Sequence, residues 1–407
     1  MEVVNMTTKE AMIQELYPED ILSVAKDLTE GEVKLLKQIN DFLESKYRDS
    51  INNHWVNATE PEDYFKELGK FNYFNNPLLF EGREEARTPS QLFQFFMSYT
   101  IAKFDISLAT LLGVHQGLGH NTFLFGGSKE QVAYYVPKLQ SHELRTCFAL
   151  TEPDHGSDVA GGLETVATKE GDHWVINGAK KWIGGANVAD VIPVFAVDSE
   201  TKKPRCFVIE PSQEGVEIDV LQHKIALRIV PNTNIKLNNV VVTEEKRLQN
   251  INSFKDIARV LYSTRAGVAY MATGGMAGAL RATKDYVTKR KQFGKEISKY
   301  QLIQEKLAMM QGNLAQAMAT CAQLARMQAK GEYDEVATST AKMMNALRLR
   351  ESVAMGRGIT GGNGILAGEY DIARFFADAE AVYTYEGTHE INALVIGRAL
   401  TGNSAFI

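Results

Sequence analysis

Apolar positions follow a helical period at both ends of this chain and a strand-like period in the middle. Thr29 and Glu32 have the spacing of a capping box. Val33, Leu36, Ile39, Leu43 and Tyr47 then recur every three or four residues, which predicts a helix with one apolar stripe. Over 50–90 the aromatic residues and Pro61, Pro77 and Pro89 leave the pattern irregular. Helical periodicity returns over 91–117 and 129–140. Within the first of these, 101–114 is strongly apolar, interrupted by Lys103 and Asp105. It is too short to span a bilayer and predicts a buried helix.

The period changes near residue 146. Trp174-Val-Ile176 precedes Asn177-Gly178, and Ala179-Lys-Lys-Trp-Ile183 follows. Asn-Gly between two β-prone runs predicts a hairpin turn. The runs 191–197, 206–209, 216–220 and 235–242 predict further short strands. From Phe254 the helical period resumes. Ile303, Leu307, Met310, Leu314, Met318, Cys321 and Leu324 hold one face, and Gly331 is a stop. Helices are also expected over 334–356 and over 389–401, the last closing at Gly402. The reading is an α+β fold. A helical domain (1–145) precedes a middle antiparallel β domain (146–250), and a C-terminal four-helix bundle (251–407) follows.

Composition narrows the function classes. The chain has 407 residues, 44% of them apolar and 23% charged, an ordinary globular balance. The 44 Lys and Arg against 50 Asp and Glu give a net charge of −6, a poor match to the basic footprint that nucleic acid needs. Cys147, Cys206 and Cys321 are far apart and form no metal or disulfide pattern, which suits a reducing compartment. The first residues lack a basic segment followed by an apolar one, and the C-terminal Asn-Ser-Ala-Phe-Ile is not an SKL-type address. A cytoplasmic protein without a membrane span is the expectation.

Five segments are candidates for chemistry, each with a plainer reading beside it. The run from Thr264 to Leu280 is helical in pattern but rich in small residues, including Gly274 and Gly275. It suits close approach by a flat ligand or a tight helix crossing. Arg290-Lys-Gln-Phe-Gly294 sets a cation beside an aromatic ring, either a ligand clamp or a solvated helix end. Gly361-Gly-Asn-Gly364 could crowd backbone N–H groups against a phosphate, or form an ordinary turn. Thr384-Tyr-Glu-Gly-Thr388 holds a carboxylate between aromatic and glycine neighbours. Burial there would raise its pKa toward the range of a general base, although a first-turn helix acid reads the same way. Thr151-Glu-Pro-Asp-His-Gly-Ser-Asp158 is turn-rich and polar, a ligand edge or a boundary loop. His155, Ser157 and Asp158 lack the G-x-S-x-G elbow of a hydrolase.

Taken in order, these motifs resemble the acyl-CoA dehydrogenase family. The resemblance runs from about residue 95 to 405 and is carried by Phe148-Ala-Leu-Thr-Glu-Pro153 with Gly156-Ser-Asp158, and by Asn177-Gly178 with Lys181-Trp-Ile183. It continues through Arg290 to Gly294, Leu302 to Leu307, Gly361 to Gly364 and Tyr385-Glu-Gly-Thr388. It is strongest toward the glutaryl-CoA dehydrogenases and the plant short-chain acyl-CoA oxidases. The resemblance implies FAD between the β domain and the C-terminal bundle, an acyl-CoA substrate, and a homotetramer. Phe148, Leu150, Thr151, Trp182 and Ile183 would line the flavin. Arg290, Gln292, Phe293 and Gln301 would reach the FAD of a neighbouring subunit, with Gly361 and Gly362 along its diphosphate. Thr388 and Glu390 would complete the cofactor shell. Ser157 and Arg265 would contact the CoA portion and Gly387 the thioester. Glu386 would be the base that removes the α-proton while a hydride leaves the β-carbon for flavin N5, giving a trans-2-enoyl-CoA.

Three departures sharpen the expectation. The arginine and glutamate with which glutaryl-CoA dehydrogenases hold a distal carboxylate align with Ala109 and Ala102. This predicts a neutral short- or medium-chain acyl-CoA and no decarboxylation. Gly184 stands where many relatives have Thr, and Gly358 replaces a common polar residue. An electron-transfer flavoprotein is the expected acceptor. The alternatives are an oxidase that uses O2 and a non-catalytic member of the fold that binds DNA.

Overall fold

The computed structural model describes residues 7–83 and 85–404. The readings made of the first six and last three residues lie outside this range. Helices α1 (Thr8–Leu16), α2 (Glu30–Tyr47), α3 (Ile51–Asn57), α4 (Tyr64–Gly69), α5 (Gln91–Phe104), α6 (Ile106–Gly113), α7 (His120–Gly126) and α8 (Lys129–Gln140) come first. The capping box of α2 forms as expected, and its five stripe residues are all buried. The irregular 50–90 region contains α3 and α4.

The single helix expected over 91–117 is three pieces. Asp105 is extended at φ −159°, and its carboxylate accepts the Leu108 N–H at 2.6 Å. It thus ends α5 and caps α6, because a buried aspartate serves a helix start better than a helix interior. Beyond α6 the chain widens into a π-helical segment, Val114–Gly119. Such segments are rare and cluster at functional sites.

After the short α9 (Val159–Gly162) come six strands, β1 (Val166–Glu170), β2 (His173–Gly184), β3 (Ile192–Asp198), β4 (Pro204–Ile209), β5 (Val216–Val220) and β6 (Asn232–Thr243). They form one sheet in the order β4-β3-β1-β2-β6-β5. It is antiparallel except where β1 runs parallel to β3. The hairpin expected at Asn177-Gly178 is not there. Gly171 and Asp172 make that turn, and β2 runs straight through Asn177-Gly178 with a bulge. A Cβ on Gly178 would lie 2.7 Å from Thr165 Cα, and Asn177 Oδ1 accepts the Asn239 N–H at 2.8 Å. The dipeptide's conformational freedom serves a bulge, because β6 holds the strand on both sides of it.

The C-terminal part comprises α10 (Phe254–Val287), α11 (Gln301–Ala329), α12 (Glu335–Thr360), α13 (Asp371–Thr384) and α14 (His389–Thr401). The small-residue run of α10 is a helix crossing. A Cβ on Gly274 would lie 2.3 Å from Tyr99 O, and one on Gly278 would lie 2.5 Å from Lys103 O. One apolar core draws on both helical ends of the chain, from Ile13 to Val382, while the sheet has its own core. No helix among the described residues is long and apolar enough to cross a membrane.

A buried polar hub ties these layers together. The Asp378 carboxylate accepts from Trp55 Nε1 (2.9 Å), Ser107 Oγ (2.6 Å) and Leu227 N (2.6 Å). One turn earlier, Arg374 pairs with Asp105 and with Asp371 at 3.2 Å, all its surface buried. Removing the cation alone strands a buried carboxylate. Arg374→Met should therefore cost about 3–5 kcal/mol. The expected readout is a lower thermal midpoint, partly restored by adding Asp105→Asn.

Candidate active site

The base candidate sits in the turn between α13 and α14. Helix α13 ends at Thr384, and Glu386 follows at φ +57° with Gly387 at φ +82°. A left-handed non-glycine residue is costly and persists only where its surroundings hold it. Here α12 supplies the hold. Lys342 Nζ donates to Tyr383 O at 3.0 Å and to Gly387 O at 2.7 Å. Asn392 Nδ2, in α14, donates to Gly387 O and Thr388 O, both at 2.9 Å. Thr388 caps α14, its hydroxyl accepting the Ile391 N–H at 3.2 Å.

Glu386 is partly buried, and burial raises its pKa above the usual carboxylate value. Thr264, Arg265 and Lys342 act in the opposite direction. Thr264 Oγ1 lies 3.0 Å from Glu386 Oε2 and 3.1 Å from Leu261 O. A hydroxyl has one proton to give, and an ionised carboxylate is the stronger acceptor. The neighbouring Tyr385 hydroxyl lies 3.3 Å from both Thr110 Oγ1 and Met271 Sδ.

The π-helical segment joins this carboxylate to the sheet. A Cβ on Gly117 would lie 3.4 Å from Thr264 Cγ2. At the segment's start, Val114 Cγ2 would lie 3.4 Å from a Cβ on Gly184. A Cβ at Gly184 would make ordinary contacts with Val114, Val230 and the Asn232 amide. Beside it, a second bulge in β2 puts Trp182 at φ +65° and leaves it 55% exposed between buried Lys180 and Ile183. Asn232 Nδ2 and Thr233 Oγ1 fix this turn by donating to Trp182 O (3.2 Å) and Ile183 O (3.0 Å). The Phe148–Thr151 stretch lies alongside. Lys181 N donates to Thr151 O (2.9 Å), and buried Lys180 donates to Leu150 O (3.1 Å) and Glu152 (2.7 Å). Phe148 packs edge-on against Phe195.

Glu386, Gly387, Thr388 and Arg265 thus gather around one turn, and the π-helical segment connects them to Ile183 and Trp182. Arg265 is buried, with Nη1 2.9 Å from Ser339 Oγ and 3.7 Å from Glu335, and its Nε is without a partner. Gln116 Oε1 and Asn392 Oδ1 are also buried and unpartnered. Ser157 is exposed, and His155 pairs with Asp158 at 2.7 Å. Glu390 is exposed in the first turn of α14.

A second group forms elsewhere, around a hairpin of β7 (Lys291–Gln292) and β8 (Lys295–Glu296). Phe293 and Gly294 make its turn at φ +50° and +82°, leaving Phe293 93% exposed. Arg290, Gln292 and Gln301 are exposed nearby. Gly361 and Gly362 join this end through Asn363, whose Nδ2 lies 3.2 Å from the Tyr286 hydroxyl. Of the three departures, Ala102 packs at the α5–α10 crossing, 2.9 Å from where a Gly274 Cβ would sit, and Ala109 is buried on α6. Gly358 is exposed with open space around it. Among the described residues no cluster of His, Cys, Asp and Glu could hold a metal ion.

Sequence reasoning passed over Lys342, Asn392 and Gln116. For Lys342 there was a signal. It lies on the buried stripe of Thr338, Ala341, Asn345, Ala346 and Leu349, where a lysine is out of place.

Comparison with known proteins shows the family. Residues 29–143, 147–240 and 254–401 match the N-terminal, middle and C-terminal domains of the acyl-CoA dehydrogenases. The chain belongs to the acyl-CoA dehydrogenase family, FAD-dependent oxidoreductases acting on CH–CH groups. It is 35% identical to the 3-(aryl)acrylate reductase of Clostridium sporogenes over 282 residues, 68% of this chain and 74% of that protein. It is 28% identical to an acyl-CoA dehydrogenase of Bacillus subtilis, covering 93% of this chain and all of the relative. Among solved structures, a glutaryl-CoA dehydrogenase from Mycobacterium smegmatis superposes with a TM-score of 0.87 at 29% identity, over 96% of this chain and 99% of that one.

The residues present fit FAD. Trp182 and Phe293 offer exposed aromatic faces, Gly361 and Gly362 have nothing within 4 Å of where a Cβ would stand, and unpartnered polar atoms lie near Glu386.

Removing the Thr264 hydrogen bond withdraws one influence that favours the ionised form of Glu386. Thr264→Val should therefore raise its pKa further, so ionisation is lost at a higher pH as the solution is acidified. Isotope-edited infrared titration of the glutamate carboxyl groups would read this as an upward shift of the one signal that Glu386→Gln removes.

Proposed function

We propose that this enzyme removes the α-proton of a neutral short- or medium-chain acyl-CoA with Glu386, giving the trans-2-enoyl-CoA without decarboxylation. The observation that carries this reading is a partly buried carboxylate on a strained turn, 3.0 Å from the Thr264 hydroxyl. Burial makes it a stronger base than an exposed glutamate, and the turn aims it. FAD, when bound, supplies the acceptor for the hydride that leaves the β-carbon. Trp182, Ile183, Phe148, Leu150 and Thr151 would hold its ring, and Ser157 and Arg265 would meet the CoA portion. The exposed group at Arg290, Gln292, Phe293, Gln301, Gly361 and Gly362 would serve the cofactor of another copy, which supports a homotetramer. Ala109 and Ala102 offer no cation for a distal carboxylate. The three buried free cysteines support a cytoplasmic setting, and an electron-transfer flavoprotein is the acceptor we favour.

The same groups can run the reaction backwards, with protonated Glu386 returning a proton to the α-carbon of an enoyl thioester. The relative from Clostridium sporogenes and an Acetobacterium woodii relative, the caffeyl-CoA reductase-Etf complex subunit CarC, are named as reductases, which favours testing this direction too.

Glu386→Gln should retain FAD and acyl-CoA binding while anaerobic bleaching of the flavin by acyl-CoA slows by at least about 10²–10⁴-fold. Near-normal bleaching would move the base elsewhere. Glutaryl-CoA should release no CO2. Under air the wild-type protein should reduce an artificial acceptor and yield little peroxide; stoichiometric peroxide would make it an oxidase.

A further inference from the structure

We infer that Lys342 is the positioning residue for the base, its ammonium clamping the two carbonyls that bracket Glu386 and so fixing the left-handed turn from which the carboxylate works. The inference rests on Glu386 being the base.

Lys342 lies in the interior of α12 with none of its surface exposed. Burying an ammonium is costly unless it is compensated. Compensation here does not come from a salt bridge. Instead Lys342 gives its protons to Tyr383 O, in the last turn of α13, and to Gly387 O, one residue beyond the base. The helix end leaves carbonyls unsatisfied and carries the negative end of the macrodipole, so a cation is favoured there. The two bonds span five residues, from Tyr383 to Gly387, and enclose the one non-glycine residue of the turn at positive φ. Asn392 ties the same Gly387 carbonyl from α14, so three helices converge on this turn.

The charge also acts on the base. Lys342 and Arg265 both favour ionised Glu386, and Thr264 adds its hydrogen bond. Lys342 in turn is pushed down to about 8 by burial, while Glu386 and Glu390 pull it up and Arg265 pulls it down. Losing the lysine charge therefore raises the Glu386 pKa and frees the turn together. Either change lowers the fraction of enzyme with an ionised, aimed carboxylate.

Lys342→Met keeps most of the buried stem and removes the charge and the donors. In the FAD-loaded enzyme, kcat for acyl-CoA oxidation should fall on the order of 10²-fold, the scale of a slightly misplaced reacting group. KM should change little, and the acidic limb of the kcat–pH profile should move to higher pH. Amide hydrogen exchange in the peptide covering 383–388 should quicken, and Lys342→Arg should recover part of kcat. Should the Met variant fail to fold, Lys342→Gln is read in the same way. Unchanged kcat, acidic limb and exchange, with Glu386→Gln inactive, would overturn the role of Lys342 and leave the base in place. An active Glu386→Gln would instead remove the base assignment itself.

Discussion

A carboxylate made more basic by burial, with neighbours that favour its ionised form, is the constraint that organises this structure. Burial disfavours the ionised form of Glu386 and raises its pKa. Opposing charges from Arg265 and Lys342 and the Thr264 hydroxyl restrain that tendency. The group is thereby kept between the strength of an ordinary carboxylate and permanent protonation. The base role proposed for Glu386, taking a proton and giving it back, is best served in that interval. Its backbone sits in a conformation that only a well-braced turn sustains, and the brace comes from two neighbouring helices.

The wider fold supplies the conditions for that turn. The α10–α12–α13 packing needs α10 to lie against the α5 backbone and the Phe375 ring of α13, which its glycines permit. Asp105 breaks the N-terminal apolar helix and engages Arg374, registering α6 against α13. The interrupted helix then runs into the π-helical segment, which spans the gap between Thr264 and the sheet. On the sheet side, a bulge in β2 exposes Trp182 and keeps Ile183 inside. Departures from ideal secondary structure therefore cluster around the site, as expected where local regularity yields to function.

Much of this was legible in the sequence, and the failures have physical causes. The α2 capping box, the α8 limits and the stops at Gly331 and Gly402 depend on local chemistry and were read correctly. Asn177-Gly178 was misread because the same φ freedom serves a turn or a bulge, and only the pairing with β6 decides. Asp105 was noted as an interruption but not read as a helix cap, and its burial against Arg374 could not be read because that partner lies 269 residues away. Helix α13 was passed over because buried Arg374 and Asp378 interrupt its apolar stripe. Glu386 was singled out from its motif; Lys342 was passed over although its buried stripe marked it, because the carbonyls it donates to lie 41 and 45 residues later.

The central claim is that one side chain carries the α-proton. Chemically reduced holoenzyme cannot accept a hydride, so incubating it anaerobically with acyl-CoA in D2O isolates the proton step. The account predicts deuterium at the α-carbon with the wild-type chain and almost none with glutamine at position 386. Equal incorporation by both proteins would contradict it.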